Sequence, residues 1–236
     1  VLGFLCTNLD FGFMLNHIIH IDNVVQRYVI TVNGPSTPAR IFLGAVQRLL
    51  PETVVVIFNG KNAGVAQAWN NVLKEAFENM AAKNGTRVPF AAIANADVMP
   101  SPGQLSGFCA DTRERHRTLV VNRFAHFAFF AVTSFGMERL GYFDEAMFPA
   151  YGEDVEYHLR AVSQQLGDES RFGKYGSNKK NENFFHYESV NIGHDDWSSK
   201  MFGKFNRVEY VRQKWGVDLR RAIDFQFAKP FKFPFS

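Results

Sequence analysis

Apolar residues in the first hundred positions follow two alternating patterns. Short, continuous apolar or β-branched runs are typical of buried strands and occur at 1–7, 28–32, 53–58 and 90–94. Longer segments with apolar residues at helical spacing lie at 11–21, 38–50 and 62–80. Strands separated by helices of this length favour right-handed crossovers, so the pattern predicts an α/β fold with a mainly parallel sheet flanked by helices.

The second half of the chain has a less regular pattern. It predicts an aromatic-rich strand at 125–133, a helix at 153–165 and a short helix at 207–215. The segment 167–183 is rich in Gly, Ser, Asn and Lys and is interpreted as a loop. We find no internal repeat, and we expect a single domain over 1–236 that divides into the halves 1–100 and 101–236.

Polar side chains follow the predicted strands of the first half. In parallel sheets, ligands bind at the carboxyl ends of the strands, so these side chains are candidates for binding. The residues at these positions are Thr7, Asn8, Asn33, Asn59, Asn95 and Asp97.

Asp97 is the candidate with the most specific sequence motif among these residues. It belongs to Asn95-Ala96-Asp97-Val98, directly after an apolar strand and before a turn rich in Pro and Gly that ends at Gly103. Mg²⁺ and Mn²⁺ prefer oxygen ligands and usually take one or two carboxylates plus substrate phosphates, so Asp97 is a candidate ligand. The alternative is an aspartate that forms a turn or caps a helix.

Acidic residues are concentrated near the start of the predicted helix at 153–165. Five carboxylates lie between Asp144 and Glu156, and Glu153 and Asp154 fall in the first helical turn. The helix macrodipole favours negative charge there, so a cap is one interpretation. The other is a general base, a carboxylate that takes a proton from an attacking hydroxyl.

Two further motifs contain residues suited to binding. His194 stands beside Asp195 and Asp196 and is a candidate metal ligand, with a structural histidine as the alternative. Asn62 opens a segment of small residues around Gly64, and small residues at the start of a helix allow a ligand or backbone to approach closely.

Composition and charge narrow the class of protein. Hydrophobic residues make up 46% of the chain, which is typical of a globular protein, and a net charge of +3 does not favour nucleic acid as a partner. The two cysteines have no CxxC spacing and favour a reducing compartment such as the cytoplasm. We expect no membrane span in the chain; a lumenal site is the alternative if an anchor lies outside it.

The motifs, taken in order, resemble family 2-like GT-A glycosyltransferases over most of the chain. The matching segments run from Asn62 to Asn70, from Asn95 to Gly103 and from Gly141 to Arg160, followed by a late histidine and by Tyr210-x-x-x-Lys214-Trp215-Gly216. The chain departs from the family pattern at Asn95, which stands where the family's D-x-D motif has its first aspartate.

This resemblance implies a GT-A (Rossmann-like) fold with a mixed, mainly parallel central sheet flanked by helices. The half 1–100 would hold a nucleotide-sugar, expected to be UDP-linked, and the half 101–236 would hold a glycan or glycoprotein acceptor. Asp97 and His194 would hold Mn²⁺ or Mg²⁺, Asp154 would be the general base of an inverting transfer, and Glu153 would orient the acceptor or the sugar. The residues expected to bind substrate are Thr7, Asn8, Asn33, Asn62, Asn95 and Trp197.

Two other hypotheses about the function remain open. The substitution at Asn95 is compatible with a non-catalytic module that binds a nucleotide-sugar or a glycan with the same fold. A nucleotidyltransferase would also use a Rossmann-like sheet and Mg²⁺, but it would normally carry a Gly-rich basic loop after its first strand. That position reads Thr7-Asn8-Leu9-Asp10-Phe11, which disfavours the nucleotidyltransferase.

Overall fold

The structure is a computed structural model of the chain. It describes residues 1–6, 25–85, 87–96, 98–100, 103–114, 119–122, 126–164, 184–186 and 209–216. Its strands are β1 (Leu2–Cys6), β2 (Tyr28–Val32), β3 (Val54–Phe58), β4 (Phe90–Asn95), β5 (Val98–Pro100), β6 (Leu119–Asn122), β7 (His126–Thr133) and β8 (Phe184–His186).

Six of these strands form one mixed sheet in the order β3-β2-β1-β4-β7-β6. The first four are parallel to one another, whereas β7 pairs antiparallel with both β4 and β6. The chain order turns back between β1 and β4, and such a switch point is where open α/β sheets bind ligands. The remaining strands, β5 and β8, form a separate antiparallel pair.

Helices cover both faces of the large sheet. The helices are α1 (Thr37–Leu49), α2 (Val65–Lys74), α3 (Met80–Asn84), α4 (Gln104–Glu114), α5 (Ser134–Leu140), α6 (Glu153–Ser163) and α7 (Val211–Trp215). One core cluster joins the sheet to Leu43 of α1 and Leu105 of α4, and the other joins it to Trp69 of α2 and Tyr157 of α6. Neighbouring residues of a strand point to opposite faces, so α1 and α4 lie on one side of the sheet and α2 and α6 on the other.

Helix α2 packs closely on β1 because Gly3 has no side chain. A Cβ at this position would overlap the side chain of Val72. The helical segment predicted at 62–80 begins later than expected, at Val65, because Gly64 has a φ of 88° that a helix does not accept. It continues through a π-helical turn, Glu75–Asn79, into α3.

The structure confirms the predicted α/β architecture with a mixed, mainly parallel sheet. It adds β5, α4, β6 and α5, which the sequence pattern did not indicate. The helix expected at 11–21 and the loop expected at 167–183 lie outside the described residues. In the part of the chain that is described, no helix has both the length and the apolar character needed to cross a bilayer.

Candidate active site

Three asparagines join the ends of β2 and β3 to the loop before α2. Asn33 donates from Nδ2 to Asn62 Oδ1 at 2.8 Å and to the Gly64 carbonyl at 3.4 Å. Its Oδ1 accepts from the Ala63 backbone N–H at 2.7 Å and from Asn59 Nδ2 at 3.3 Å. An asparagine side chain has two N–H donors and an oxygen with two lone pairs, so these bonds use all of its capacity. Asn33 therefore fixes this loop, and its contact with a substrate stays a prediction.

Gly64 brings the start of α2 against the segment that leads into α6. Its φ of 88° and ψ of 164° lie in a region that is essentially restricted to glycine. A Cβ there would stand 3.2 Å from both Phe148 Cδ2 and the Pro149 carbonyl oxygen. The Val65 N–H donates to the same carbonyl at 2.9 Å. The loop that Asn33 fixes is thus in direct contact with the residues that precede Glu153.

Asn70 connects two motifs that are far apart in the sequence. Its Nδ2 donates to the Phe143 carbonyl at 3.0 Å and to Glu145 Oε1 at 2.9 Å, and its Oδ1 accepts from the Phe143 N–H at 2.8 Å. The Phe143 ring stacks on Tyr157 of α6 with centroids 4.0 Å apart, and the Tyr157 hydroxyl donates to the Gly141 carbonyl at 3.0 Å. The segment 141–145 is therefore held between α2 and α6.

Four charged side chains form a compact network beside this segment. Lys214 of α7 donates to Asp144 Oδ2, and its Nζ lies 3.0 Å from Glu156 Oε1. Glu156 has no exposed side-chain surface and is also paired with Arg160, one turn along α6. Two cations thus compensate two carboxylates, and α7 is joined to α6 through the buried Glu156.

The hydrogen bonds of this network stabilise its charged forms. Burial alone would raise the pKa of Asp144, but the bonds from Lys214, the Ala146 N–H and Tyr210 outweigh burial and hold the pKa below its usual value. Burial alone would lower the pKa of Lys214, and its bonds to Asp144 and Glu156 instead raise it. Both groups therefore stay ionised at neutral pH.

Asp154 and its neighbour Glu153 differ from the other three acids of the cluster, since Asp154 Oδ1 and Glu153 Oε2 are both buried oxygens to which the described residues donate no hydrogen bond. Asp144, Glu145 and Glu156 all accept the bonds described above. Asp154 Oδ1, in contrast, is buried and has no hydrogen-bond partner among the described residues. It follows Glu153, which is 6% exposed, in the first turn of α6, where the helix dipole stabilises negative charge. A carboxylate oxygen without a donor keeps its lone pairs available for a proton.

His158 is a titratable residue that the sequence reasoning missed. It lies four residues after Asp154 on α6, and side chains at this spacing share one helix face. Burial lowers its pKa to about 4, so the imidazole is neutral at physiological pH. The spacing of an aspartate and a histidine on one predicted helix is the signal that could have found it.

Asn95 lies where the chain leaves the large sheet and approaches the small sheet formed by β5 and β8. It is the last residue of β4 and pairs in register with Leu5 of β1. The chain then enters β5, where Val98 pairs with His186 of β8. Within the described residues, no group of three or more potential metal ligands occurs. The other predicted site residues lie outside the described part of the chain: Thr7, Asn8, Asp97, His194 and Trp197.

The architecture agrees with the fold class that the sequence resemblance implied. A mixed, mainly parallel sheet of six strands is flanked by helices on both faces, as in a GT-A fold. No family model matches the chain.

The chain is similar to a curated protein named galactofuranosyl glycosyltransferase, from Leishmania donovani. The two are 24% identical over 284 aligned positions, which cover 83% of this chain and 62% of the relative. The chain therefore spans less than two thirds of that relative's length. The recognition of a GT-A glycosyltransferase from the sequence is confirmed at the level of this class.

Two solved structures show a partial likeness to this chain. Staphylococcus aureus TarS 1–349 has a TM-score of 0.46 and 13% identity, over 68% of this chain and 54% of TarS 1–349. GalNAc-T7, crystallised with UDP, GalNAc and Mn²⁺, has a TM-score of 0.46 and 9% identity, over 67% of this chain and 38% of GalNAc-T7. Likenesses of this size assign no ligand and no residue role to the present chain.

Proposed function

We propose that the chain is a glycosyltransferase that moves a sugar from a UDP-linked donor to an acceptor hydroxyl with inversion at the anomeric carbon. A bond forms between the acceptor oxygen and the anomeric carbon, and the bond from that carbon to the diphosphate breaks. The nucleoside diphosphate leaves with the electron pair of the broken bond. The acceptor proton is transferred to a carboxylate of the protein. The name of the curated relative supports galactofuranose as the first sugar to test.

The observation that carries this proposal is that no described residue donates a hydrogen bond to Asp154 Oδ1. Of the five carboxylates between Asp144 and Glu156, three are used in bonds that hold the fold together. Asp154 Oδ1 and Glu153 Oε2 are buried oxygens to which the described residues donate no hydrogen bond. We assign the acceptor's proton to Asp154 because it is the second acid of the pair, the position that the family resemblance implies for the base. General bases of this kind typically contribute about 10²- to 10⁴-fold to the rate. Glu153, its neighbour, would orient the acceptor or the sugar.

The donor would lie at the carboxyl edge of the parallel strands. In the sequence, Thr7 and Asn8 come directly after β1 and Asn33 comes directly after β2, and Asn62 lies in the loop that Asn33 holds. The open side of the Asn62 amide is exposed to solvent and can reach a phosphate or a sugar hydroxyl. Trp197 would offer a ring face on which a sugar can stack.

Asp97 and His194 would hold a divalent cation against the diphosphate. Asp97 lies between β4 and β5, directly after the end of the parallel sheet, and an oxygen and an imidazole ligand together fit Mn²⁺ better than Mg²⁺. When bound, the cation neutralises the charge that develops on the leaving diphosphate. Asn95 would supply a neutral amide where the family pattern has a carboxylate.

Substitution of Asp154 tests the proposed base. We expect Asp154→Asn to lower transfer from UDP-galactofuranose, or from the active donor of a UDP-, GDP- and dTDP-sugar panel, by at least about 10²-fold with Mn²⁺ present. UDP should still raise the melting temperature of the variant, because the change removes only the proton acceptor. Glu145→Gln is the matched control, since Glu145 already accepts from Asn70, and it should keep most of the activity. Unchanged turnover of Asp154→Asn would refute the assignment.

Asn95 gives a specific reason to keep a second candidate, a non-catalytic module that binds nucleotide-sugars or glycans. A neutral amide in place of a carboxylate weakens the binding of a cation. The donor panel separates the two candidates. Binding of a nucleotide-sugar without transfer or slow donor hydrolysis, in the wild-type chain and in Asn95→Asp, would favour the binding module.

A further inference from the structure

Helix α1 carries large apolar residues outside its buried side. Its inner side carries Ala39 and Leu43, both fully buried against the sheet. At about 100° per residue, Ile41 falls on the opposite side of the helix and Leu49 on the adjoining flank, and they are 69% and 80% exposed. A surface helix normally places polar residues on its outer side, so two large exposed apolar residues there are a departure from the usual pattern.

Exposed apolar residues, together with the half-buried Ala45, form a stripe along the length of the helix. Pro38, Ile41, Ala45 and Leu49 follow one another at spacings of three and four residues, and they define what we call the outer face of α1. Leu50, 42% exposed, extends this face beyond the end of the helix. Single exposed apolar residues are common, whereas a contiguous row indicates an interaction surface.

The charged residues of α1 itself are both positive. Helix α1 contains Arg40 and Arg48 and no acidic residue. The Arg40 guanidinium lies over the Phe58 ring, 5.2 Å from its centroid, which keeps this charge close to the helix. The next acid along the chain, Glu52, is paired with Lys83 at 2.7 Å. An apolar face bordered by arginines is complementary to a surface that is both apolar and negatively charged.

We propose that the outer face of α1 binds the surface of a membrane that contains anionic phospholipid. Helices that lie in the membrane interface combine an apolar face with basic residues at its border, as α1 does. A second copy of the chain fits less well, because a twofold contact through this face would bring the Arg40 and Arg48 side chains of both copies together without an acid of α1 to compensate them. The proposal does not depend on transferase activity.

The position of α1 in the fold is compatible with this role. Its core residues belong to the cluster on one side of the sheet, and those of α2 and α6 belong to the cluster on the other. A membrane against α1 therefore leaves the side of the sheet that carries α2 and α6 uncovered. Acceptors held at a membrane surface would then be brought close to the protein.

Sedimentation with lipid vesicles tests the proposal on the full chain. The wild type should bind mixed phosphatidylcholine–phosphatidylserine vesicles and not pure phosphatidylcholine vesicles. Ile41→Asp/Leu49→Asp should weaken this binding by at least about tenfold, because two large apolar side chains no longer insert. Arg40→Gln/Arg48→Gln should weaken it and reduce its dependence on salt. Phe135→Asp, at a residue that is 40% exposed on α5, is the control and should bind like the wild type.

Three results would overturn the proposal. The first is a wild type that does not sediment with the anionic vesicles. The second is equal loss of binding in Phe135→Asp, which would mean that vesicle binding is not localised to α1. The third is a wild-type dimer in light scattering that Ile41→Asp/Leu49→Asp converts to a monomer, which would assign the face to a second copy. All these positions are exposed, so thermal melting should show that every variant folds.

Discussion

His158 makes the stability of this protein depend on pH in a defined window. Burial penalises the imidazolium and lowers the pKa of His158 from 6.5 to about 4 in the folded chain. In the unfolded chain the imidazole returns to its ordinary pKa of about 6.5. Between these values the unfolded state binds the additional proton, so stability is fully present above pH 6.5 and falls as the pH drops towards 4.

The size of the effect follows from the two pKa values. Each pH unit between them changes the free energy of unfolding by about 1.4 kcal/mol, so the window from pH 6.5 to about 4 corresponds to about 3 kcal/mol. This is a large part of the stability of a typical domain, about 5 to 15 kcal/mol. Carboxylates with a lowered pKa, such as Asp144, also contribute stability that is lost in acid. That loss begins near their unfolded-state pKa of about 4 and continues as the pH falls through the folded-state value.

Urea denaturation of the wild type and of His158→Gln isolates the contribution of this residue. The glutamine cannot titrate, so the loss of stability between pH 7 and pH 4 should be smaller in the variant by about 3 kcal/mol. Asp144 and the other carboxylates contribute equally to both proteins and cancel in the comparison. Equal pH dependence in the two proteins would contradict the reasoning, as would an NMR titration that places the His158 imidazole near its ordinary pKa.

Two further predictions concern the contacts that assemble the site, and urea denaturation measures both. Gly64→Ala should destabilise the fold by about 2 kcal/mol, because a side chain at this φ and ψ is strained; Gly44→Ala, inside α1, should instead stabilise it by up to about 1 kcal/mol. Lys214→Met should cost about 2 kcal/mol, less than for a fully buried pair because Lys214 is 34% exposed. Arg87→Met, which breaks an exposed pair, should cost less than about 0.5 kcal/mol, and equal losses would refute the role of Glu156 burial.

The strands that the sequence predicts well are those of the parallel part of the sheet. Parallel strands covered by helices are apolar at nearly every position, so the pattern places β2 at its observed bounds, Tyr28–Val32, and the edge strand β3 within one residue. Strands β5 and β6 have three and four residues, too few for a pattern to stand out. The antiparallel direction of β7 comes from its pairing with β4, which no local pattern records.

The candidate site shows the same contrast between residues that a local pattern reveals and contacts between residues that are distant in the sequence. Strand ends and small residues drew attention to Asn33, Asn62 and Gly64, and the structure joins them in one loop. The sequence could not show that the Asn33 side chain forms its hydrogen bonds within the protein, because its partner Asn62 lies 29 residues away. Nor could it pair Asp144 with Lys214, 70 residues along the chain, since such pairs depend on how the helices pack.

Charge compensation separates the structural acids of the second half from the candidate catalytic one. Arg160 and Lys214 are joined to Glu156, and Lys214 is joined also to Asp144. Buried carboxylates are costly unless they are paired, and these two are paired. Asp154 Oδ1 has no such partner among the described residues. The fold thus pairs Asp144 and Glu156 with cations and places a carboxylate oxygen without a donor at the start of α6, close to the loop that Asn33 holds.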